Sequence, residues 1–363
     1  MLESGKREVF EIMKASNWNI TVIGGTAGLL SLIAVLTIMI DPFLHYHLPL
    51  KGLEYPLLDE RYQNDGIARH YTYNAVITGT SMTQNFKPSE FDALFTGTET
   101  VKIAFSGASY KEVNDNILRM LKHNSEVKYI LRSLDGTLLN MPAEEDTYEG
   151  YPEYLFDENP FNDVEYLLNK EVIPKTIAVV NYTRAGNVTT TRDDYGSWSQ
   201  YKEYGKEAVL RSYGNLEGFE EEIVLSQEDY KNIRENVQKN VLQTALEHPE
   251  ITFYLFYPPY SICYWDALVQ TKQLNAQLEA EKTATGMLMG VENIHVYAFA
   301  ENIEMISDLD NYTDSLHYGG WINSDILRWI REGKYELTSE NYEAYYDRLG
   351  ELFLNYDYSE LHE

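Results

Sequence analysis

Three side chains in this chain are of the types that activate a serine for attack on a carbonyl carbon. The stretch GTSMTQNF contains Ser81, and the stretch NYTDSLHYGG contains Asp314 and His317, three residues apart. A serine hydroxyl is a poor nucleophile at neutral pH, so a neutral imidazole must remove its proton, and a carboxylate must hold that imidazole in the correct tautomer. These residue types therefore suit acyl transfer, provided that the fold brings them together.

Each of these motifs is weak when it is taken alone. G-x-S is common after an apolar run, and D-x-x-H also arises by chance, with Asp314 as a helix N-cap and His317 as a half-buried ring. A third motif, FSGAS, contains Gly107, which permits close backbone approach and offers another N–H donor for an oxyanion. The combination favours the catalytic interpretation, because all three motifs follow predicted strands.

The elements that must position these residues alternate between short apolar runs and helical segments. The five predicted strands are residues 74–81, 100–107, 127–136, 251–259 and 293–300. Helical patterns lie between and after them, so the sequence predicts an α/β domain with a five-stranded parallel sheet in a three-layer, flavodoxin-like winding. Ligands of such sheets bind at the carboxyl ends of the strands, where the serine, glycine and Asp–His motifs fall.

Two segments lie outside this pattern. Residues 140–225 are rich in Tyr, Asp, Glu and Asn and are too long for a plain loop, so they predict a partly structured insertion. Within it, the segment WSQYKEYGKE either covers a site or packs on the scaffold. Residues 336–363 predict a C-terminal helical tail.

An apolar stretch near the N-terminus predicts a membrane anchor. Residues 20–40 carry no charge and span about 30 Å as a helix, the thickness of the hydrocarbon core. The alternative is a buried core helix. Basic residues precede the stretch and are sparse after it, which predicts residues 1–19 in the cytoplasm and an extracytoplasmic C-terminal domain, joined by a linker over residues 41–70. His45 and His47 form an H-x-H pair that we interpret as interfacial.

Composition excludes some partners. The net charge is −28, with 57 acidic against 29 basic residues, so a nucleic-acid partner is not expected. The single cysteine, Cys263, cannot form an intrachain disulfide and is expected to be buried. Neither a phosphate-binding loop nor a metal-ligand spacing is visible in the sequence, so we expect no cofactor and no metal.

With these motifs in place, the chain resembles the SGNH hydrolase (GDSL-like esterase) superfamily over about residues 70–335. More closely, it is similar to membrane-anchored SGNH-like proteins of Gram-positive cell-surface polysaccharide and teichoic acid loci, through GTSMTQNFKPSEFD, FYPPYS and DNYTDSLHY. The resemblance implies an SGNH-like domain over residues 71–335, with Ser81 as nucleophile, His317 as general base and acid, and Asp314 as the orienting carboxylate. It also implies that the N–H groups of Ser81 and Gly107 contribute to an oxyanion hole.

The resemblance implies two alternative functions. The first is a serine esterase or O-acyltransferase, acting on an acyl group such as acetyl on an extracytoplasmic glycan or teichoic-type polymer, with a multi-pass membrane acyltransferase as a partner. The second is a catalytically weak or inactive scaffold that binds a glycan or a membrane partner through the same cleft.

One departure from the family pattern separates these alternatives. The family places an oxyanion-donating Asn after the third strand, whereas the stretch SLDG places Asp135 there. An ionised carboxylate accepts hydrogen bonds but cannot donate one, and it repels an oxyanion. Either Asp135 is protonated, or Asn116 or Asn140 donates instead, or turnover is weak. A fourth alternative is that Asp135 binds a substrate hydroxyl.

Overall fold

The computed structural model describes residues 2–148, 150, 152–214, 216 and 218–362. The chain divides into two compact units. The smaller unit comprises residues 1–56 and 152–189, and the larger unit comprises residues 57–151 and 190–363. The segment predicted as an insertion, residues 140–225, is thus shared between the two units.

The larger unit is built on a mixed six-stranded sheet. Its strands are β1 (Ala75–Thr78), β2 (Thr100–Lys102), β3 (Tyr129–Ser133), β4 (Thr252–Tyr257), β5 (Ile294–Ala298) and β6 (Glu336–Leu337). They lie in the order β2-β1-β3-β4-β5-β6, and every neighbouring pair is parallel except β5 and β6. The predicted α/β class is confirmed.

The sheet has one strand more than the five that the sequence predicts, and it is mixed rather than wholly parallel. The additional strand, β6, pairs antiparallel with β5 through Val296↔Leu337 and Tyr297↔Glu336. It has two residues, which are too few to show the alternating pattern of a strand, and it falls in the segment predicted as a helical tail. Tyr335, with a φ of 63°, turns the chain into this edge position.

Apolar residues account for the parallel strands. All four residues of β1 are buried, as are the last four of β3 and the last three of both β4 and β5. Such nearly continuous burial is typical of a sheet covered by helices on both faces. The helices of this unit are α2 (Glu60–His70), α3 (Pro88–Leu94), α4 (Tyr110–His123), α7 (Lys206–Ser212), α8 (Gln227–Val237), α9 (Gln243–Glu247), α10 (Ile262–Gln270), α11 (Leu274–Leu288), α12 (Ile303–Ser307), α13 (Gly320–Glu332) and α14 (Tyr342–Asn355).

The described residues of the smaller unit form the α-helices α1 (Leu2–Ile40), α5 (Val164–Leu167) and α6 (Val172–Arg184). The apolar part of α1, Ser16–Ile40, has a mean hydropathy of 2.2 and is long and apolar enough to cross a membrane. Only 6% of its most apolar window is buried. This exposure does not fit the alternative of a buried core helix.

A buried carboxylate organises the turn after α1. The side chain of Asp41 is fully buried, and its two oxygens accept the backbone N–H groups of His45, Tyr46 and His47. The Tyr166 hydroxyl also donates to Asp41, over 2.6 Å. These bonds satisfy the buried charge and fix the direction in which the chain leaves α1. The His45–His47 pair is thus part of a capped turn.

Candidate active site

The turn that carries Ser81 follows directly from β1. Gly79 has a φ of 138°, and a Cβ atom added there would lie 2.4 Å from Ser133 Oγ. Both the backbone conformation and the lack of space therefore require glycine. Ser81 follows two residues later and is half-buried. The strand end thus delivers the serine to the carboxyl edge of the sheet, as the sequence predicts.

The structure brings Ser81, His317 and Asp314 into one hydrogen-bonded chain. Ser81 Oγ lies 2.8 Å from His317 Nε2, although the two residues are 236 positions apart. His317 Nδ1 lies 2.9 Å from Asp314 Oδ2 and 3.1 Å from Oδ1. With Nδ1 protonated, the ring donates to Asp314 and presents an acceptor to the serine hydroxyl, which is the tautomer that a general base requires.

The loop after α12 holds the acid–base pair in place. Asp314 Oδ1 accepts the backbone N–H groups of Leu316 (2.9 Å) and His317 (2.8 Å). A bridge between Tyr312 and Tyr318 closes the base of the loop. Because α13 begins only at Gly320, Asp314 does not cap that helix, and its carboxylate is free to orient the imidazole ring.

Asp314 remains ionised in this setting. Burial acts to raise its pKa, but the hydrogen bonds and charge of His317, together with the backbone N–H groups of His317 and Leu316, outweigh burial and lower the pKa below its usual value. The pair therefore has the charge distribution that stabilises a protonated imidazole during acyl transfer.

Trp198 is a site residue that the sequence analysis does not single out. Its Nε1 donates to the carbonyl of Ser81 over 3.2 Å, and its ring meets the ring of His317 edge-on at 5.4 Å between centroids. The Asn85 side-chain oxygen accepts the backbone N–H groups of Trp198 and Ser199, both at 3.0 Å. The segment WSQYKEYGKE thus packs directly on the site, and no spacing rule in the sequence indicates which of its residues does so.

A buried lysine connects the stretch just before this segment to the residues that follow Ser81. Lys102, the last residue of β2, donates its ammonium hydrogens to the carbonyls of Gln84 (2.5 Å), Phe86 (2.8 Å) and Asp193 (3.0 Å). Burial lowers the pKa of Lys102 to about 7, against the opposing charge of Glu60 and of two other nearby acids. Three carbonyl oxygens accept the three hydrogens of a protonated ammonium group, so we assign a charged lysine here.

Asp135 lies behind the serine turn as a hydrogen-bond acceptor. Its carboxylate accepts from Thr80 Oγ1 (2.9 Å), Ser133 Oγ (2.7 Å) and the Tyr260 hydroxyl (3.4 Å). Burial raises the pKa of Asp135, although these hydrogen bonds and the nearby His317 oppose the rise. The three hydroxyl donors suit a carboxylate better than a carboxylic acid, because both oxygens of a carboxylate accept hydrogen bonds, whereas a protonated oxygen must itself donate one.

The alternative oxyanion donors point elsewhere. The amide of Asn116 donates to the carbonyl of Ile103 over 2.7 Å, and the amide of Asn140 donates to Asp229 over 2.6 Å. Gly107 lies exposed in the turn before α4 with a φ of 65°, a left-handed conformation that favours glycine. The oxyanion roles of Ser81, Gly107 and Asp135 therefore stay predictions.

Other chemistry is limited in the described part of the chain. Among those residues, no group of three or more His, Cys, Asp or Glu side chains is arranged to hold a metal ion. Cys263 is fully buried, as expected, and burial raises the pKa of its thiol to about 11. A thiolate nucleophile is therefore disfavoured at neutral pH.

Comparison with protein-family models and with curated sequences adds no relative. No protein-family model matches the chain, and no curated protein sequence is significantly similar to it. The functional argument therefore depends on the geometry of the site.

Proposed function

We propose that this protein is a membrane-anchored, extracytoplasmic serine esterase or O-acyltransferase of the SGNH type. The observation that carries the proposal is the hydrogen-bonded chain from Ser81 through His317 to Asp314. A serine, an imidazole and a carboxylate in this order, with the imidazole between the other two, are the parts that acyl transfer needs. The five parallel strands support the proposed fold, because their order β2-β1-β3-β4-β5 is that of flavodoxin-like sheets.

The proposed reaction has two half-reactions. Ser81 Oγ attacks the acyl carbon while His317 Nε2 takes the hydroxyl proton, and the carbonyl oxygen becomes an oxyanion facing the N–H groups of Ser81 and Gly107. Collapse of this intermediate breaks the ester bond, and His317 returns the proton to the departing oxygen. Water or a sugar hydroxyl then attacks the acyl-serine, with His317 again as base, to release the acid or a new ester.

The proposed substrates are acetyl esters of an extracytoplasmic glycan or teichoic-type polymer. The support is the position of the site on a chain whose helix α1 is long and apolar enough to anchor it at a membrane. A multi-pass membrane acyltransferase is the proposed acyl-donor partner for the transfer reaction. We further propose that the N-terminus lies in the cytoplasm.

A second candidate is a non-catalytic SGNH-like scaffold, and one observation favours it. By the sequence resemblance, Asp135 corresponds to the family's oxyanion-donating Asn, and it accepts hydrogen bonds from Thr80, Ser133 and Tyr260. A buried carboxylate at this place supplies no donor to an oxyanion. The scaffold would bind the same polymer without turning it over.

Covalent labelling separates the two candidates. The full-length protein in detergent micelles is incubated with a fluorophosphonate probe and, separately, with p-nitrophenyl acetate. We expect labelling and hydrolysis that disappear in Ser81→Ala and persist in Ser125→Ala, a variant of an exposed serine. Unchanged hydrolysis in Ser81→Ala refutes the mechanism, and absence of labelling with retained polymer binding supports the scaffold.

A further inference from the structure

One stripe of the apolar helix α1 is covered near its end. Residues 16–32 of α1 are exposed, whereas Ile33, Ala34 and Ile40 are half-buried and Thr37 is buried. Ile33 and Ala34 are adjacent, and each of the other positions follows three or four residues later, so all four share one face of the helix. Both α5 and α6 contact α1 within the smaller unit. The two short helices therefore pack where the exposed span ends.

This contact lies at the depth of a membrane surface if α1 spans the bilayer. The apolar span Ser16–Ile40 has 25 residues and is therefore about 38 Å long, compared with about 30 Å of hydrocarbon. When the span is centred, Ile40 lies about 4 Å outside the hydrocarbon and Ile33 about 7 Å inside it. Helices beside these turns lie at the level of the headgroups and the outer acyl chains.

The exposed surface of the short helices and of the turn before α5 carries apolar side chains beside charged ones such as Glu165. Ile177 on α6 is 56% exposed, Val164 on α5 is 54% exposed, and Phe161 just before α5 is 91% exposed. Val172 and Val179 of α6 are buried. Scattered exposed apolar residues are ordinary on a soluble surface, but α6 carries apolar side chains both on its buried face and at Ile177. A helix that is apolar on more than one face suits contact with lipid.

Amphipathic side chains surround the end of α1. The rings of His45, Tyr46 and Tyr166 pack on one another, with centroids 4.6 to 5.9 Å apart. The ring of His47 contacts the carbonyl of Ile38 in the last turn of α1 at 3.0 Å. Aromatic rings with a polar edge are typical of the headgroup level of a membrane.

We propose that α5, α6 and the residues just before α5 form a membrane collar, which places Phe161, Val164 and Ile177 in the outer part of the bilayer beside α1. The occupant of this surface is lipid, because α5 and α6 contact α1, and the Tyr166 hydroxyl of α5 donates to Asp41 directly after the apolar span. The proposal rests on the membrane anchoring proposed above. It adds a second, monotopic contact with the same leaflet that α1 leaves.

Site-directed spin labelling of the full-length chain in phosphatidylcholine vesicles tests the collar. The native Cys263 is fully buried, so a thiol-reactive nitroxide labels introduced cysteines. The test variants are Ile177→Cys and Val164→Cys, and Leu36→Cys in the exposed side of α1 is the lipid reference. Leu246→Cys in the larger unit is the matched aqueous reference, because Leu246 is 55% exposed.

Relaxation of each label by oxygen, which concentrates in lipid, is compared with relaxation by a water-soluble nickel chelate. We expect the label at position 177 to follow the lipid reference, with an oxygen-to-nickel ratio at least threefold above that at position 246, and position 164 to behave likewise.

Ratios equal to the aqueous reference at both test positions, with a lipid signal at Leu36→Cys, overturn the collar and leave the anchor standing. An aqueous signal at Leu36→Cys overturns the anchor itself and the collar with it. Shielding from both reagents at positions 164 and 177 also overturns the collar, since it shows that protein covers this surface.

Discussion

Replacing Asp314 by asparagine tests whether His317 acts as a base in one particular tautomer. Asp314 Oδ1 accepts two backbone N–H groups, from Leu316 and His317, while Oδ2 lies 2.9 Å from His317 Nδ1. In Asp314→Asn the amide oxygen must keep the place of Oδ1, because only an oxygen can accept those two N–H groups. The amide NH₂ group then faces His317 Nδ1.

This arrangement changes the tautomer of the imidazole. An NH₂ group donates, so Nδ1 must accept and the ring proton moves to Nε2, which lies against Ser81 Oγ. A protonated Nε2 cannot take the serine proton. The same exchange in a serine protease triad lowers kcat about 10⁴-fold. Because the side chains of Asp314 and His317 here stay 35% and 30% exposed, solvent competes for the ring, and we expect a loss of about 10³-fold, or about 4 kcal/mol in activation free energy.

The assay is steady-state hydrolysis of p-nitrophenyl acetate by the full-length protein at pH 7. We expect kcat to fall and KM to change less than threefold, since Asp314 has no direct role in the proposed substrate contact. The melting temperature should stay within a few degrees of the wild-type value, because the amide oxygen preserves both backbone hydrogen bonds. Asp314→Ala is the matched control that leaves the ring free to choose its tautomer, so it should be no slower than Asp314→Asn. A loss of less than tenfold in Asp314→Asn, when Ser81→Ala abolishes activity, refutes the reasoning.

Three further outcomes follow from buried or packed groups. Lys102→Met leaves three carbonyls without their ammonium donor, so it should lower the free energy of unfolding by about 3 kcal/mol or more in urea titrations. The control Lys87→Met, at an exposed lysine, should change the free energy of unfolding by less than about 0.5 kcal/mol. Burial raises the pKa of Glu281 to about 7, so between about pH 4.5 and 7 the folded state keeps a proton that the unfolded state has lost. The free energy of unfolding should therefore fall by up to about 3 kcal/mol as pH rises through this window. Glu281→Gln should remove this pH dependence. An unchanged pH dependence in Glu281→Gln contradicts a raised pKa of Glu281 in the folded state. Trp198→Ala should lower kcat about 10-fold, because it removes both the hydrogen bond to the carbonyl of Ser81 and the edge contact with the imidazole. The control Tyr201→Ala, at an exposed position, should leave kcat unchanged. Equal activities of the two variants argue against a role for Trp198.

The buried carboxylate Asp135 bears on whether the site turns over. Thr80, which precedes the serine, donates to Asp135 and also accepts the backbone N–H of Met82 over 3.3 Å. Asp135 thus stabilises the turn that carries Ser81 through its hydrogen bond with Thr80. A bracing role and an oxyanion-donating role need opposite protonation states, because the first accepts hydrogen bonds and the second donates one. The contacts favour bracing.

The strands and the serine turn could be predicted from the sequence because their signals are local. Short apolar runs predict the five parallel strands, and small residues after the first run predict the turn at Ser81. The strand β6 could not be predicted, because two residues carry no periodicity and pairing with β5 forms them. Lys102 is a further example, since a lysine within an apolar run does not by itself reveal that the carbonyls of Gln84, Phe86 and Asp193 surround its ammonium group.

The sequence by itself determined the residue types for acyl transfer, the α/β alternation and an apolar segment long enough to cross a membrane. These properties depend on composition and on spacing over a few turns or strands. Only the tertiary structure decided that Ser81 and His317 meet at 2.8 Å, that Trp198 packs on the imidazole and that Asp135 accepts a hydrogen bond from Thr80. Each of these contacts joins residues at least 55 positions apart, and such distances are set by how strands and loops pack, which no local pattern encodes.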